Sequence, residues 1–295
     1  MLMPLRWLEN SLRRNTRFGS RRNIAAHYDL NNDFFAQFLD PTMTYSCGIF
    51  ESAEATMEAA SLAKYECACR TLNLSTDDHL LEIGSGWGGL AVYAAKQFGC
   101  RVTTATVSRE QYHYARQRIR AEGLDAKITL LLRDYRDLEG QFDKLVSIEM
   151  IEAVGHEFLP KYFRCCARLL RPGGTFFLQS ITMPDQRYDR YRKSVDFVQR
   201  YIFPGGCVPS FDAIARAMET ASDLQLVETE DFAAHYARTL QLWRERFFEN
   251  IDTIRALGFT ERLIRAWHYY LCYCEAGFRE QRIGLAHLLL EKPRG

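Results

Sequence analysis

The sequence predicts an α/β fold built on a mostly parallel, doubly wound sheet. Three observations carry that reading. From residue 79 onward, short apolar runs of strand length alternate with segments of helical period. A glycine cluster, Gly84-x-Gly86-x-Gly88-Gly89, falls at the first strand-to-helix junction. The balance of 47% hydrophobic to 25% charged residues over 295 positions belongs to a globular chain with a sizeable core, one large domain or two small ones.

The elements follow in order. Residues 52–72 read as a helix with Ser52 as a candidate N-cap. "HLLEIG" (79–84) is a strand, 88–98 a helix, "RVTTATV" (101–107) a strand and 109–122 a helix. "KITLLL" (127–132) and "DKLVSIEM" (143–150) are strands, and 157–170 is a helix stopped by Arg171-Pro172-Gly173-Gly174. "TFFLQSIT" (175–182) is the fifth strand. Residues 183–210 then break the rhythm. This aromatic, basic stretch closes in turn signals and reads as an insertion, helical at its centre. A helix near 211–221, a strand near 224–231, long helices near 236–256 and 259–276 and a strand near 283–292 complete the pattern. The alternation implies parallel strands, with the last two expected as an antiparallel hairpin at the sheet edge.

Charge adds a second division. Net charge is +1, so nothing in the whole molecule calls for nucleic acid. Residues 1–22, however, carry Arg6, Arg13, Arg14, Arg17, Arg21 and Arg22 against Glu9, with Leu5, Trp7, Leu8 and Leu12 interleaved at helical spacing. Such a basic amphipathic segment rests on an anionic membrane surface, or else is a solvated helix or frayed arm. The expected layout is this segment followed by a catalytic domain over 23–295. No apolar run approaches the roughly 20 residues needed to span a bilayer, and no signal peptide is expected. The nine cysteines include no C-x-x-C pair, so no metal site is expected; they read as reduced thiols of a cytoplasmic protein.

"LLEIGSGWGG" (80–89) is the clearest motif. Glycines there let a ligand approach the backbone and let the turn take positive φ. Dinucleotide enzymes carry such loops too, but three features favour S-adenosylmethionine. The spacing is G-x-G-x-G, Glu82 stands at the strand end where it can hold a cationic amino acid moiety, and the second strand lacks the acid expected for an NAD ribose. Seven strands in this style match a class I, Rossmann-like methyltransferase sheet.

A second stretch, "VSIEMIEAVGH" (146–156), ends a buried apolar strand in two carboxylates and a histidine. Burying a carboxylate costs several kcal/mol unless it is paired. With "HYDLNNDFF" (27–35), "MTYSCGIFE" (43–51) and "LEIGSGWGG" also present and in this order, the chain resembles the cyclopropane fatty acid synthase family from about residue 20 onward. The insertion looks most like the form found in plant cyclopropane synthases, and the additional N-terminal domain of some bacterial members is expected to be absent.

The resemblance implies S-adenosylmethionine held by Tyr28, Tyr45, Ser46, Gly84 and Gly86, with Thr106 and Gln111 near its ribose and methionine ends and Tyr135 near adenine. It also implies a bicarbonate ion, with Cys47, Glu152, Gln179, the main chain of Ile181 and Tyr236 as ligands, and Cys274 nearby. Three positions depart from the pattern: many relatives have Trp where this chain has Tyr135 and Gly where it has Glu149, and many bacterial relatives have His where it has Gln179, although the plant-like form also carries Gln there. Glutamine hydrogen-bonds only as a neutral group.

The implied reaction is methylene transfer to the cis double bond of an unsaturated phospholipid acyl chain. A carbocation forms in a dry slot, with Tyr28, Tyr45, Phe197, Tyr201 and Tyr236 as candidate stabilisers, and the bound anion takes a proton so that the ring closes. Glu152 is expected to orient that anion. Glu149 is expected to be structural, or to bind the substrate side or a nearby arginine, His156 to cap a helix or lie exposed, His27 to orient the loop over the cofactor, and Asp134 and Asp137 to cap a loop. Peripheral contact with the inner face of a membrane is expected, and the oligomeric state stays open, a homodimer included. Three alternatives remain: a methyl- or methylene-branched product without a ring, methylation of a small molecule, and non-enzymatic lipid binding.

Overall fold

The computed structural model describes Asn15, Thr16, Gly19 and residues 31–294. The 1–22 segment, apart from those three residues, and Tyr28 and His27 therefore lie outside the described residues.

Eleven helices and seven strands make up the described chain: α1 (Asn32–Ala36), α2 (Met57–Thr71), β1 (His79–Ile83), α3 (Gly89–Gln97), β2 (Arg101–Thr106), α4 (Arg109–Ala121), β3 (Ile128–Leu132), β4 (Phe142–Ile148), α5 (Leu159–Leu169), β5 (Leu170–Thr182), α6 (Asp185–Tyr191), α7 (Phe197–Tyr201), α8 (Phe211–Ala221), β6 (Gln225–Asp231), α9 (Ala233–Glu249), α10 (Ile251–Ala256), α11 (Glu261–Arg279) and β7 (Gly284–Glu291). The sheet order is β3-β2-β1-β4-β5-β7-β6. β7 runs antiparallel to both β5 and β6; the other pairs are parallel. The chain order reverses between β1 and β4, and ligands bind at strand C-termini beside such a switch point.

Several boundaries differ from the sequence reading for local reasons. Thr56, not Ser52, caps α2, its hydroxyl accepting from the Ala59 N–H. Arg171–Gly174 lies within β5 as a bulge, where the register against β4 slips between Phe142 and Lys144. The expected 236–256 helix starts at Ala233 and breaks at Asn250. β6 and β7 are neighbours, but three helices separate them in sequence, and β7 lies inside the sheet while β6 takes the edge.

Three apolar clusters fill the molecule. One packs α5 and α8 against one sheet face, and a second packs α2 and α3 against the other. The third is separate and rich in aromatics. Phe34, Phe35 and Phe38 meet Trp243, Phe247 and Trp267 of α9 and α11 in edge-on and tilted contacts. Trp87, in the glycine loop, donates its indole N–H to Asn32 Oδ1 (2.7 Å), which ties this lobe to the end of β1.

Candidate active site

One cavity of about 1100 Å³ opens at the C-terminal edge of the sheet, between the glycine loop and the aromatic lobe. Tyr45, Ser46, Glu82, Gly84, Gly86, Thr106, Gln111 and Tyr135, expected at the cofactor, all line it. Gly84, Gly86 and Gly88 have φ of +104°, +48° and +83°, a region side chains disfavour. Beside Gly86 nothing occupies the space a Cβ would fill, so its backbone is open to a ligand. Glu82 is buried, accepts from the Thr104 hydroxyl, and has its pKa pushed up to about 7, by burial first. Thr106 Oγ1 donates to Gln111 Oε1 (2.9 Å), bracing the two against each other. The residues present fit a nucleoside with a cationic amino acid end.

The loop after β4 forms the other end of the cavity. Glu149 and Glu152 both line it, together with Ile181, Tyr236 and Cys274. The carboxylate of Glu149 gathers three donors from distant segments. The Cys47 N–H (2.9 Å) and Gln179 Nε2 (2.7 Å) donate to Oε1, and the Tyr236 hydroxyl donates to Oε2. Its own N–H donates to the Gln179 carbonyl (2.9 Å). Burial raises its pKa, and the donors together with the buried Lys64 ammonium oppose that rise. Glu152 differs. Oε1 accepts from the Ile181 N–H (2.6 Å), while Oε2 is buried with no hydrogen-bond partner. Burial, then the charge of Glu149, pushes its pKa up to about 8, so it carries a proton at neutral pH. Two carboxyls three residues apart are thus served unequally: Glu149 has three donors spread over both oxygens, Glu152 one donor on Oε1 alone.

Cys47 and Gln179 do not border the cavity; they reach it through Glu149. Behind them, His287 Nε2 lies 3.0 Å from Gln179 Oε1. Because Gln179 uses its amide N–H on Glu149, its oxygen accepts and His287 holds the proton on Nε2. Burial first, and then Lys64 and His235, lower the pKa of His287 to about 3, and Phe232 stacks on its ring at 4.0 Å. Both Cys47 and Cys274 are neutral thiols, burial raising the first well above its ordinary value and the second to about 12.

Other expectations fall out differently. Glu149 meets no arginine in these bonds; Cys47, Gln179 and Tyr236 are its partners. His156 caps no helix but does lie exposed, and its Nδ1 is 2.8 Å from the Tyr188 hydroxyl, fastening the insertion to the β4 loop. Asp134 does cap its loop, accepting from Arg136 N (3.0 Å) and pairing with that buried guanidinium. Phe197 and Tyr201 do not line the cavity, whose aromatic wall includes Tyr45, Phe203, Tyr236, Tyr270 and Phe278. The insertion forms two short helices, α6 and α7, closed by a Met183–Ser210 bridge.

Sequence reasoning missed Lys64. It is buried, donates to Ser46 Oγ, and acts electrostatically on Glu149, Cys47, Asp40 and Glu82. Burial lowers its pKa to about 8. A signal was available: Ala60, Ser61, Lys64, Tyr65, Ala68 and Cys69 share the buried face of α2, and a lysine there needs a partner. Among the described residues no helix is long and apolar enough to cross a membrane, and no cluster of His, Cys, Asp and Glu forms a metal site.

A reversing parallel sheet with an inserted antiparallel β7, a glycine loop after β1 and side-chain chemistry after β4 defines the class I S-adenosylmethionine-dependent methyltransferase fold. Within that class, the chain belongs to the mycolic acid cyclopropane synthetase family, which matches residues 15–288. It is 45% identical over 267 residues to the tuberculostearic acid methyltransferase UfaA1 of Mycobacterium tuberculosis, covering 88% of this chain and 62% of that protein. It is 40% identical over 267 residues to the cyclopropane-fatty-acyl-phospholipid synthase of Escherichia coli strain K12, covering 90% of this chain and 66% of that protein. The mycolic acid cyclopropane synthase CmaA1, solved in complex with SAH and CTAB, superposes with a TM-score of 0.86 at 31% identity, over 92% of this chain and 98% of that one. The chain spans slightly less than two thirds of the length of these two curated relatives.

The bicarbonate ion implied by the resemblance does not fit this site. The Cys47 N–H, Gln179 amide and Tyr236 hydroxyl that would hold it are taken by the Glu149 carboxylate, and the Ile181 N–H by Glu152.

Proposed function

We propose that this chain alkylates the cis double bond of an unsaturated phospholipid acyl chain with a one-carbon unit from S-adenosylmethionine, closing a cyclopropane ring. The observation that carries the reading is the single cavity joining the glycine loop to the Glu149–Glu152 pair, which lets an alkene meet a sulfonium methyl beside a buried proton acceptor. When bound, S-adenosylmethionine supplies an electrophilic methyl group.

The chain does the rest. Gly84 and Gly86 admit the cofactor to the backbone, Glu82 holds its cationic end, and Tyr45, Ser46, Thr106, Gln111 and Tyr135 surround it. Alignment to roughly 3–3.5 Å is what makes a poor nucleophile react. The aromatic wall excludes water, which would trap a carbocation as an alcohol, and each ring face stabilises a cation by about 0.5–2 kcal/mol. Outside the cavity, Tyr201 and Tyr269 are exposed along α7 and α11, Tyr273 is exposed where α11 borders the cavity, and Phe197 packs against Tyr269 (4.6 Å). With Arg190, Lys193 and Arg200 on the same insertion, this strip supports peripheral contact with an anionic bilayer.

The test is incubation with S-adenosylmethionine and unsaturated phospholipid vesicles, followed by mass and proton spectroscopy of the fatty acids. A product heavier by one CH2 with cyclopropyl protons is expected; no mass change overturns the reading. A second outcome, a methyl- or methylene-branched chain without a ring, is favoured by the 45% identity to a protein named as a tuberculostearic acid methyltransferase. Vinyl protons, or the doublet of a branch methyl, in place of cyclopropyl protons would establish it.

A further inference from the structure

We propose that Glu149 is the resident anion of this active site: its carboxylate stands where the resemblance puts a bound bicarbonate, and it accepts the proton lost from the transferred methyl group. The proposal rests on the lipid-alkylation reading and supplies its base.

Three independent features point to it. First, donors from three separate parts of the chain, at Cys47, Gln179 and Tyr236, converge on one carboxylate that faces the cavity. Burying that charge is unfavourable by several kcal/mol, and hydrogen bonds to a charged group return about 1.5–3 kcal/mol each. A glutamate needed only to fill space would not collect them. Second, two of the positions at which the chain departs from the family pattern bond to each other. Glu149 stands in place of Gly and Gln179 in place of His, and their side chains meet at 2.7 Å. A carboxylate delivered by the chain is matched by a neutral amide donor, and His287 fixes which way that amide points. Third, Glu149 has a φ of +47°. Glycine holds that conformation freely, whereas an L-residue with a side chain is destabilised by about 1–2 kcal/mol. Backbone strain of this kind persists where the surroundings enforce it.

The step balances. As the methyl carbon bonds to one alkene carbon, the S–C electron pair stays with sulfur and the other alkene carbon becomes cationic. A C–H bond of the new methyl then gives its pair to that cation, closing the ring, and the proton passes to a Glu149 oxygen. The protonated Glu149 returns its proton to solvent when the product leaves.

The experiment compares wild type with Glu149→Gly and Glu149→Gln in buffers stripped of carbon dioxide, with and without added bicarbonate. Binding of 13C-bicarbonate is read separately by NMR line broadening, and SAH calorimetry checks that each variant is folded. Wild-type turnover is expected to be indifferent to bicarbonate, with no broadening. Glu149→Gly should bind SAH normally, lose at least tenfold in turnover, recover on adding bicarbonate, and broaden the 13C signal. Glu149→Gln keeps the bulk but cannot take the proton, so it should lose turnover without rescue. Wild-type turnover that falls on stripping carbon dioxide, or 13C broadening by wild type, would overturn the proposal, as would a folded Glu149→Gly that bicarbonate neither binds nor rescues. If wild type transfers no methyl group to lipid at all, the functional reading fails instead, and the NMR comparison still decides whether Glu149 fills the anion site.

Discussion

The loops that follow β1 and β4 leave adjacent strands at the same edge of the sheet, yet they are built on opposite plans. The β1 loop, residues 84–88, offers bare backbone: its three glycines adopt positive φ and nothing stands beside Gly86. The β4 loop, residues 149–155, offers side chains, and it forces a glutamate into a conformation suited to glycine. One loop serves any ligand that can lie along a peptide. The other serves one reaction, because its carboxylate is held by residues 102, 30 and 87 positions away in sequence. Binding here is a property of local chain shape, and chemistry a property of assembly.

Variants of the two loops should therefore fail in different ways. The largest effect is expected from Gly84→Val. Its φ of +104° disfavours a side chain, and a Cβ there would meet the Met150 side chain at 3.3 Å. Calorimetry should show SAH affinity falling by about two orders of magnitude, about 2.7 kcal/mol; near-normal binding would dissolve the contrast. Tyr236→Phe, on the β4 side, should leave SAH affinity unchanged and lower turnover about tenfold, equivalent to about 1.4 kcal/mol on the barrier. With one donor to the charged form removed, Glu149 holds its proton to higher pH, so the acid limb of the rate profile should move upward. An equal loss of cofactor binding would mean that the two ends are not separable.

The smallest expected effect is on stability. The pKa of Glu152 is raised from 4.5 to about 8, and that of Glu82 to about 7. Each group keeps its proton in the folded protein over a range where the unfolded chain has released it. Their contribution to stability is therefore complete below about pH 4.5 and is lost as pH rises to about 8. The melting temperature of the ligand-free protein should decline across that interval, and Glu152→Gln should flatten the decline. An unchanged slope in that variant would show that Glu152 is ionised in the folded state.

The same contrast explains what could be read from the sequence. The sheet and the glycine loop were legible because their signals are local: strand-length apolar runs, helical period, and glycines at fixed spacing. The residues expected at the cofactor, Tyr28 aside, line one cavity. Around the β4 loop the expected residues also came together, but their arrangement did not follow from spacing. Glu152 was expected at the centre and Glu149 at the margin, whereas the donors meet on Glu149. Nothing within residues 146–156 encodes that choice, since it depends on where Cys47, Gln179 and Tyr236 arrive. Lys64 was overlooked although its place on the buried face of α2 was visible in the helical pattern. The roles of Phe197 and Tyr201 could not be read from composition, because facing the slot or the outside depends on how α7 lies on α11.

The position of β7 has a bearing on how the molecule is made. This strand enters between β5 and β6 and brings His287, which sets the direction of the Gln179 amide. A nascent chain can form β1 to β5 and the glycine loop before residues 284–291 emerge, but His287 reaches Gln179 only once they pair with β5. Readiness for chemistry thus waits on a strand that follows β1 by some two hundred residues.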